Sequence, residues 1–153
     1  MKKVIALAAA VSLLVAPTLP ASAASSKTIK VGSLVTVTYP ATVKLKTSGC
    51  QKISFTYKIG RLGQEDAVYA GILDDSDNLI GGYTFYQTPQ VAELSGLSVF
   101  KKTGTASFKI CRKAWSEELD DGDFEDYTGA TKGEFQFYVQ TFKADNIGYI
   151  KFN

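Results

Sequence analysis

The stretch Cys50-Gln51-Lys52-Ile53-Ser54-Phe55-Thr56-Tyr57-Lys58-Ile59 decides the fold. From Lys52 onward, apolar residues alternate strictly with polar ones, and the run stops at Gly60. A period of two, built from β-branched and aromatic residues, is typical of a strand with one buried and one exposed face. We therefore predict that Cys50–Ile59 is the central strand of an all-β domain.

Segments of the same character occur along the rest of the chain, and turn-forming residues separate them. The clearest pair flanks Asp74-Asp75-Ser76-Asp77-Asn78 and predicts a hairpin. Residues 113–132 are predicted to be the longest irregular stretch. The sequence therefore predicts an antiparallel β-sandwich of seven to nine strands, without a long helix. The segments from which these strands are predicted cover residues 28–31, 33–39, 41–46, 67–73, 79–86, 97–100, 106–111, 133–142 and 147–152, besides Cys50–Ile59.

Residues 1–23 have the pattern of a secretory signal peptide. Lys2 and Lys3 precede an apolar run over residues 4–16, and Ala21-Ser22-Ala23 fits a cleavage site. The apolar run is too short to span a membrane, and no second long apolar run follows. We therefore expect a secreted protein, extracellular or periplasmic, whose residues 24–153 form a single domain with no membrane span.

Cys50 and Cys111, the only cysteines, are predicted to form a disulfide because the chain is predicted to be exported. Each cysteine lies in the polar phase of its strand, one where a strand begins and the other where a strand ends. Such ends lie side by side in an antiparallel pair, which places the bridge at the rim of one sheet. Strict register would also set Lys52 opposite Lys109, and like charges so placed are destabilising.

The spacing of the cysteines resembles that of immunoglobulin domains at the level of the fold. In those domains the disulfide crosses the core between two sheets, and a buried tryptophan lies between the cysteines. The only tryptophan here, Trp115, follows the second cysteine. The alternative to a rim bridge is therefore a bridge across the core, and the resemblance identifies no family.

The composition argues against several classes of function. The chain has no histidine, which removes the commonest general base, the usual nucleophile pairs and most zinc sites. Two of its 17 basic residues lie in the predicted signal peptide. The remaining 15 balance the 15 acidic residues, so the net charge of residues 24–153 is near zero. We therefore expect no nucleic-acid partner, no required cofactor and no enzymatic activity.

Basic and acidic residues are segregated along the chain. Residues 27–61 and 101–113 contain seven and five basic residues and no acidic one, whereas residues 65–93 and 117–126 contain six and seven acidic residues and no basic one. One interpretation is that these stretches form solvated surfaces that neutralise one another. The other is a basic sheet face that binds a polyanion, such as an acidic cell-wall polymer.

Two kinds of candidate site fall in or beside the acidic stretch at residues 117–126. Carboxylates grouped around Gly122 are suited to calcium, although their spacing differs from that of an EF-hand. Aromatic side chains beside carboxylates are common in sugar-binding surfaces, but they also pin long loops to a sandwich edge. The candidate metal ligands are Asp120, Asp121, Asp123 and Asp126, and the candidate ligand-binding residues are Trp115, Phe124 and Tyr127.

The sequence thus predicts a secreted, non-enzymatic binding or structural module of the cell exterior or envelope. Its partner is expected to be a surface, a polysaccharide or a protein. One alternative is a carbohydrate-binding module that uses the loop aromatics, with or without calcium. Another is a secreted inhibitor that presents a loop to an extracellular hydrolase.

Overall fold

A computed structural model describes residues 25–64, 66–91, 101–119 and 121–153. The predicted signal peptide, the predicted strand at 97–100 and Asp120 lie outside these residues. Residues 89–91 are helical, and no helix in the described ranges is long and apolar enough to cross a membrane. The strands are β1 (Ser26–Val31), β2 (Val35–Pro40), β3 (Thr42–Val43), β4 (Cys50–Ile59), β5 (Ala67–Leu73), β6 (Leu79–Gln87), β7 (Thr103–Cys111), β8 (Trp115–Glu118), β9 (Phe124–Tyr127), β10 (Gly133–Thr141) and β11 (Asp145–Phe152).

The strands form two main sheets and a separate hairpin. A four-stranded sheet has the order β1-β2-β4-β7, and a five-stranded sheet has the order β3-β11-β10-β5-β6. All pairings are antiparallel except that of β3 with β11. The order β2-β4-β7 matches strands A-B-E of an immunoglobulin domain, and β11-β10-β5-β6 matches G-F-C-C′. The predicted immunoglobulin-like sandwich is confirmed.

The described part of the chain contains eleven strands, more than the predicted seven to nine. The additional strands are β8 and β9, of four residues each, whereas the strand predicted at 41–46 forms only as β3, of two residues. Strands this short carry too few alternations to register as a period of two. The large strands behave as expected, because Cys50–Ile59 is a strand from end to end and occupies an interior position between β2 and β7.

The core is built around aromatic rings contributed by both sheets. The rings of Tyr39 and Phe137 stack with their centroids 4.1 Å apart, and Phe55 meets Phe85 edge to face at 5.0 Å. Each such pair stabilises the fold by about 1 kcal/mol beyond its buried area. These rings fill the space between the sheets that a core tryptophan fills in immunoglobulin domains.

The disulfide lies within the four-stranded sheet and not across the core. Cys50 is directly opposite Cys111 in the register of β4 and β7, with their Cα atoms 4.0 Å apart. The prediction of neighbouring strands bridged at the rim is therefore confirmed. The same register places Lys52 opposite Lys109. The Lys109 ammonium lies 3.7 Å from the centroid of the Trp115 ring, and this cation–π contact compensates for part of the repulsion between the two lysines.

The prediction that residues 113–132 are irregular is wrong, because β8 and β9 form a hairpin there. The hairpin turns at Gly122, whose φ of 84° favours glycine. Its register sets Glu117 opposite Glu125, a like-charge pair that disfavours strand pairing. The like charges of this stretch argue against paired strands, so the sequence did not predict the hairpin. Stacking of Trp115 on Tyr127 holds the base of the hairpin.

Asp66 fastens the start of β5 to the turn between β10 and β11. Its side chain is 1 % exposed, and its Oδ1 accepts a hydrogen bond of 3.0 Å from the backbone N–H of Phe142. Its Oδ2 has no hydrogen-bond partner among the described residues. The carboxylate is therefore only half satisfied, and its contribution to the fold is the single acceptor that it provides.

Replacing Asp66 with alanine is expected to lower the free energy of unfolding by about 2 kcal/mol, because the Phe142 N–H would lose its acceptor. The matched variant, Asp66→Asn, keeps an acceptor and removes a buried charge, so its unfolding free energy should stay within about 1 kcal/mol of wild type. Urea unfolding measures both. Equal losses in the two variants would show that the charge itself, and not the acceptor, stabilises the fold.

Candidate functional site

The predicted ligand-binding residues lie on the β8–β9 hairpin, but they do not share one surface. The Trp115 and Tyr127 rings are parallel, with centroids 4.0 Å apart, so Tyr127 covers one face of Trp115. The Lys109 ammonium covers the other face at 3.7 Å. The Tyr127 ring is itself only 3 % exposed, whereas Phe124, at the far end of the hairpin, is 65 % exposed.

Trp115 therefore holds the base of the hairpin against the sandwich. Its indole N–H is buried and finds no hydrogen-bond acceptor in the described ranges, so the ring is held by stacking and by the lysine. Tyr127 donates a hydrogen bond of 2.9 Å to Glu125. Burial, followed by this bond to Glu125 and the negative charge beside it, raises the pKa of Tyr127. In this arrangement neither face of the indole is free for a sugar ring.

The candidate metal ligands are not gathered into a coordination shell. The Asp121 carboxylate accepts a hydrogen bond from the backbone N–H of Asp123, and Asp126 accepts one from the Ser116 hydroxyl at 2.5 Å. Asp120, the fourth candidate, lies outside the described residues. Across the described ranges, no group of three or more carboxylate, cysteine or histidine side chains is placed to hold a metal ion.

The hairpin turn between β5 and β6 is built around Asp74, which accepts hydrogen bonds from the N–H groups of Ser76 and Asn78 and from the Asn78 amide. Burial acts to raise the pKa of Asp74, but the bonds from Asn78 and Ser76 outweigh it and lower the pKa. A cavity of about 640 Å³ separates this turn from the base of the β8–β9 hairpin, with Asp77 and Asp126 among its lining residues. The two acidic stretches of the sequence are thus neighbours in space.

The outward face of the five-stranded sheet carries three tyrosines, of which Tyr149 is exposed and Tyr69 and Tyr138 are half-buried. We call it the tyrosine face and define it as Tyr69, Tyr138 and Tyr149 with Gln136, Gln140 and Ile147. The register sets Tyr138 beside Ile147, Gln136 beside Tyr149, and Gln140 beside Tyr69. Charged residues occur only towards the two ends of these strands, at Glu134 and Lys151 and at Asp145.

Two glycines let the tyrosine rings lie against the sheet. A Cβ atom at Gly71 would come within 2.7 Å of the Tyr138 ring and 2.9 Å of the Tyr69 ring. A Cβ atom at Gly82 would come within 1.8 Å of the Tyr69 hydroxyl. The two rings stack on each other with centroids 5.5 Å apart. Any side chain larger than hydrogen at either glycine would therefore lift the rings from the sheet.

A shallow cavity of about 180 Å³ opens beside Tyr69, lined also by Ala67, Gln140, Thr141 and Phe142. Burial raises the pKa of both Tyr69 and Tyr138, and the negative charge of Glu125 on the hairpin adds to this effect. Both hydroxyls therefore remain protonated at any physiological pH. The Tyr69 hydroxyl is buried and has no hydrogen-bond partner among the described residues. The tyrosine face thus combines flat rings, neutral amides and a small recess.

The sequence contained a signal for the tyrosine face that the sequence analysis did not use. Phe135, Phe137 and Val139 point into the core, so the same alternation places Tyr138 outside. Tyr69 and Tyr149 occupy the outward phase of β5 and β11 in the same way. An aromatic residue at an outward position is the informative exception to the pattern, because solvent-facing strand positions are usually polar.

The outward face of the four-stranded sheet has a different chemistry. We call it the lysine face and define it by Lys30, Lys52, Lys58 and Lys109 together with the hydroxyl residues between them. One row of the register, from β1 to β7, reads Thr28, Thr38, Thr56 and Thr105, and the next reads Lys30, Thr36, Lys58 and Thr103. The four strands, all of whose residues are described, contain no aspartate or glutamate.

No protein-family model matches this chain, and no curated protein is detectably similar to it.

Proposed function

We propose that this protein is a secreted, non-enzymatic binding module of the cell exterior, and that it binds a saccharide through the tyrosine face. Export is supported by the signal-peptide pattern of residues 1–23. A non-catalytic role is supported by the lack of histidine in the sequence. The saccharide is proposed on the chemistry of the tyrosine face.

The observation that carries the proposal is the pair of tyrosine rings laid over two glycines. Exposed aromatic rings on a rigid sheet present flat apolar area at little cost in conformational entropy. Sugar rings have apolar C–H faces that suit such area and a rim of hydroxyls that requires hydrogen-bonding partners. Gln136, Gln140 and the hydroxyls of Tyr138 and Tyr149 supply donors and acceptors without charge, whereas the Tyr69 hydroxyl is buried.

The position of the rings also favours this face over the β8–β9 hairpin. Tyr149 is 49 % exposed on β11, a strand that pairs with β10 along its whole length. Trp115 has both faces covered, and Phe124 stands alone at the end of the hairpin. A sheet positions its side chains more accurately than a hairpin tip does, so the tyrosine face offers the better preorganised surface.

Replacing Tyr149 with alanine is expected to weaken saccharide binding about tenfold, because the substitution removes an exposed ring worth about 1–2 kcal/mol of contact. Binding is measured by retention on a panel of insoluble polysaccharides, followed by calorimetry with oligosaccharides of the retained type. Tyr149 is on the surface, so the free energy of unfolding of the variant should stay within about 0.5 kcal/mol of the wild-type value.

Phe124→Ala is the matched control, because it removes another exposed ring from a different part of the surface. It should bind as wild type does. If Phe124→Ala abolished binding and Tyr149→Ala did not, the ligand surface would be the hairpin. If the wild-type protein were retained by no polysaccharide on the panel, the saccharide proposal would fail.

A further inference from the structure

The lysine face is a strongly charged surface that the saccharide proposal does not use. It lies on the opposite side of the sandwich from the tyrosine face, since the two are the outward faces of the two packed sheets. Lys30, Lys52, Lys58 and Lys109 are all exposed, and they are the only charged side chains on the outward face of their strands. The segregation of basic residues in the sequence is therefore also a segregation in space.

The arrangement of the lysines defines a direction. Lys52 and Lys58 point outward from the same strand, six residues apart, which is about 20 Å at the usual rise of a β-strand. Thr56 and Ser54 lie between them on β4, and Thr105 and Ser107 lie opposite these on β7. Positive charge at both ends of a hydroxyl-lined strip fits an extended ligand that lies along the strands.

The hydroxyls limit the kind of polyanion that fits. Between the lysine rows the strip offers only neutral hydrogen-bonding groups, and two of them, Thr28 and Thr38, already share a hydrogen bond of 3.1 Å. A densely charged polymer such as nucleic acid would place unpaired phosphates over this neutral strip. A polymer with neutral hydroxylated units between its charges would instead match both the lysines and the hydroxyls.

Like charges are also kept together here at a cost to the fold. Lys52 lies directly opposite Lys109 in the register, where repulsion disfavours strand pairing. Lys109 is drawn over Trp115, which leaves the Lys52 ammonium directed outward from the end of the strip. An anionic group bound there would relieve the repulsion, so ligand binding and the stability of this edge of the sheet are coupled.

We propose that the lysine face binds a linear acidic polysaccharide, one whose carboxylate or phosphate groups are separated by neutral sugar units. The contact is electrostatic at the lysines and hydrogen-bonded at the threonine and serine hydroxyls. The site is independent of the tyrosine face, so the protein carries two ligand surfaces on opposite sides. Binding here is steered by charge and falls as salt screens it.

The experiment uses hyaluronan as the carboxylate probe, a poly(hexose phosphate) chain, in which a neutral sugar ring separates successive phosphates, as the phosphate probe, and neutral dextran and a single-stranded oligonucleotide as comparison ligands. The expected result is binding to one or both acidic probes at low salt, at least about tenfold tighter than to dextran or the oligonucleotide. Raising salt from about 50 to 500 mM should weaken it by a similar factor. Tighter binding of the oligonucleotide, or indifference to salt, would overturn the proposal.

The variant pair Lys52→Gln with Lys58→Gln should weaken binding of the acidic probe about fivefold or more. Lys132→Gln with Lys143→Gln changes the net charge equally at exposed positions outside the four strands, and it should bind as wild type does. If both double variants lost the same affinity for the acidic probe, binding would depend on net charge alone, and the proposal would be contradicted. If the protein alone self-associated at low salt, as measured by sedimentation, the lysine face would instead bind the acidic β8–β9 hairpin of a second copy.

This experiment is separate from the test of the tyrosine face. Tyr149→Ala should leave binding of the acidic probe unchanged, and the lysine variants should leave retention on neutral polysaccharides unchanged. The failure of either proposal is therefore visible without reference to the other.

Discussion

Replacing Cys50 and Cys111 together with serine is expected to lower the free energy of unfolding by about 4 kcal/mol. The bridge joins residues 61 positions apart, and a cross-link over that span removes this much chain entropy from the unfolded state. The loss is a large fraction of the stability of a typical domain. Urea unfolding of the double variant, beside wild-type protein with and without reductant, measures it.

The location of the bridge sharpens this prediction. β7 pairs only with β4 inside the four-stranded sheet, and the disulfide closes one end of that pairing. Without the bridge, repulsion between Lys52 and Lys109 acts on the same end of the pair. Hydrogen exchange should therefore accelerate first in β7. A double variant within about 1 kcal/mol of wild type would show that the bridge contributes little, and reduced wild-type protein should match the variant.

The second large effect is expected at alkaline pH. Burial is the main cause that raises the pKa of five tyrosines in the folded protein, namely Tyr39, Tyr57, Tyr69, Tyr127 and Tyr138. In the unfolded chain each ionises near its ordinary value of about 10. Their contribution to stability is therefore fully present below about pH 10 and is lost as the pH rises from there towards the folded-state pKa values.

The sign follows from proton binding. Above about pH 10 the unfolded state has released protons that the folded state retains, so each further rise in pH favours unfolding. One fully buried tyrosine contributes a slope of at most about 1.4 kcal/mol per pH unit, and solvent screening reduces it at the less buried positions. Unfolding free energies measured by urea at about pH 8, 9, 10 and 11 should be flat at first and then fall steeply.

Tyr69→Phe should make that fall shallower, because it removes the hydroxyl of the tyrosine whose pKa is raised most. Tyr149→Phe, which removes a half-exposed hydroxyl, is the matched control. Tyrosinate absorbance should rise together with unfolding and not before it. A stability that stays level to about pH 11, or tyrosinate forming in the folded protein, would contradict the prediction.

The large elements of the fold could be predicted because their local pattern and their tertiary role agree. From Ile53 to Ile59 every second residue of β4 is apolar and buried, so periodicity alone gives both the strand and its orientation. The same reasoning placed Cys50 and Cys111 on adjacent strands, since their phase and their positions at strand ends restrict the geometry. The strict register also sets Lys52 opposite Lys109, which argues against this pairing. The structure was needed to show that Lys109 contacts Trp115.

The candidate site was less predictable, because it depends on which outward residues come together. Trp115 and Tyr127 are twelve positions apart in the sequence, and nothing local indicates that their rings stack. The tyrosine face draws residues from three strands, and its flatness depends on Gly71 and Gly82, which sequence reasoning treats only as a sign of a bulge or a close approach. Such convergence is a property of register, which single-strand patterns do not contain.

The contact between Lys109 and Trp115 gives the protein an intrinsic optical probe. The chain has one tryptophan, so its emission arises from a single environment. That indole ring is stacked on Tyr127 of the acidic hairpin and capped by an ammonium that belongs to the lysine face. One fluorescence signal from the unlabelled protein therefore senses both the seating of the hairpin and the occupancy of the basic surface.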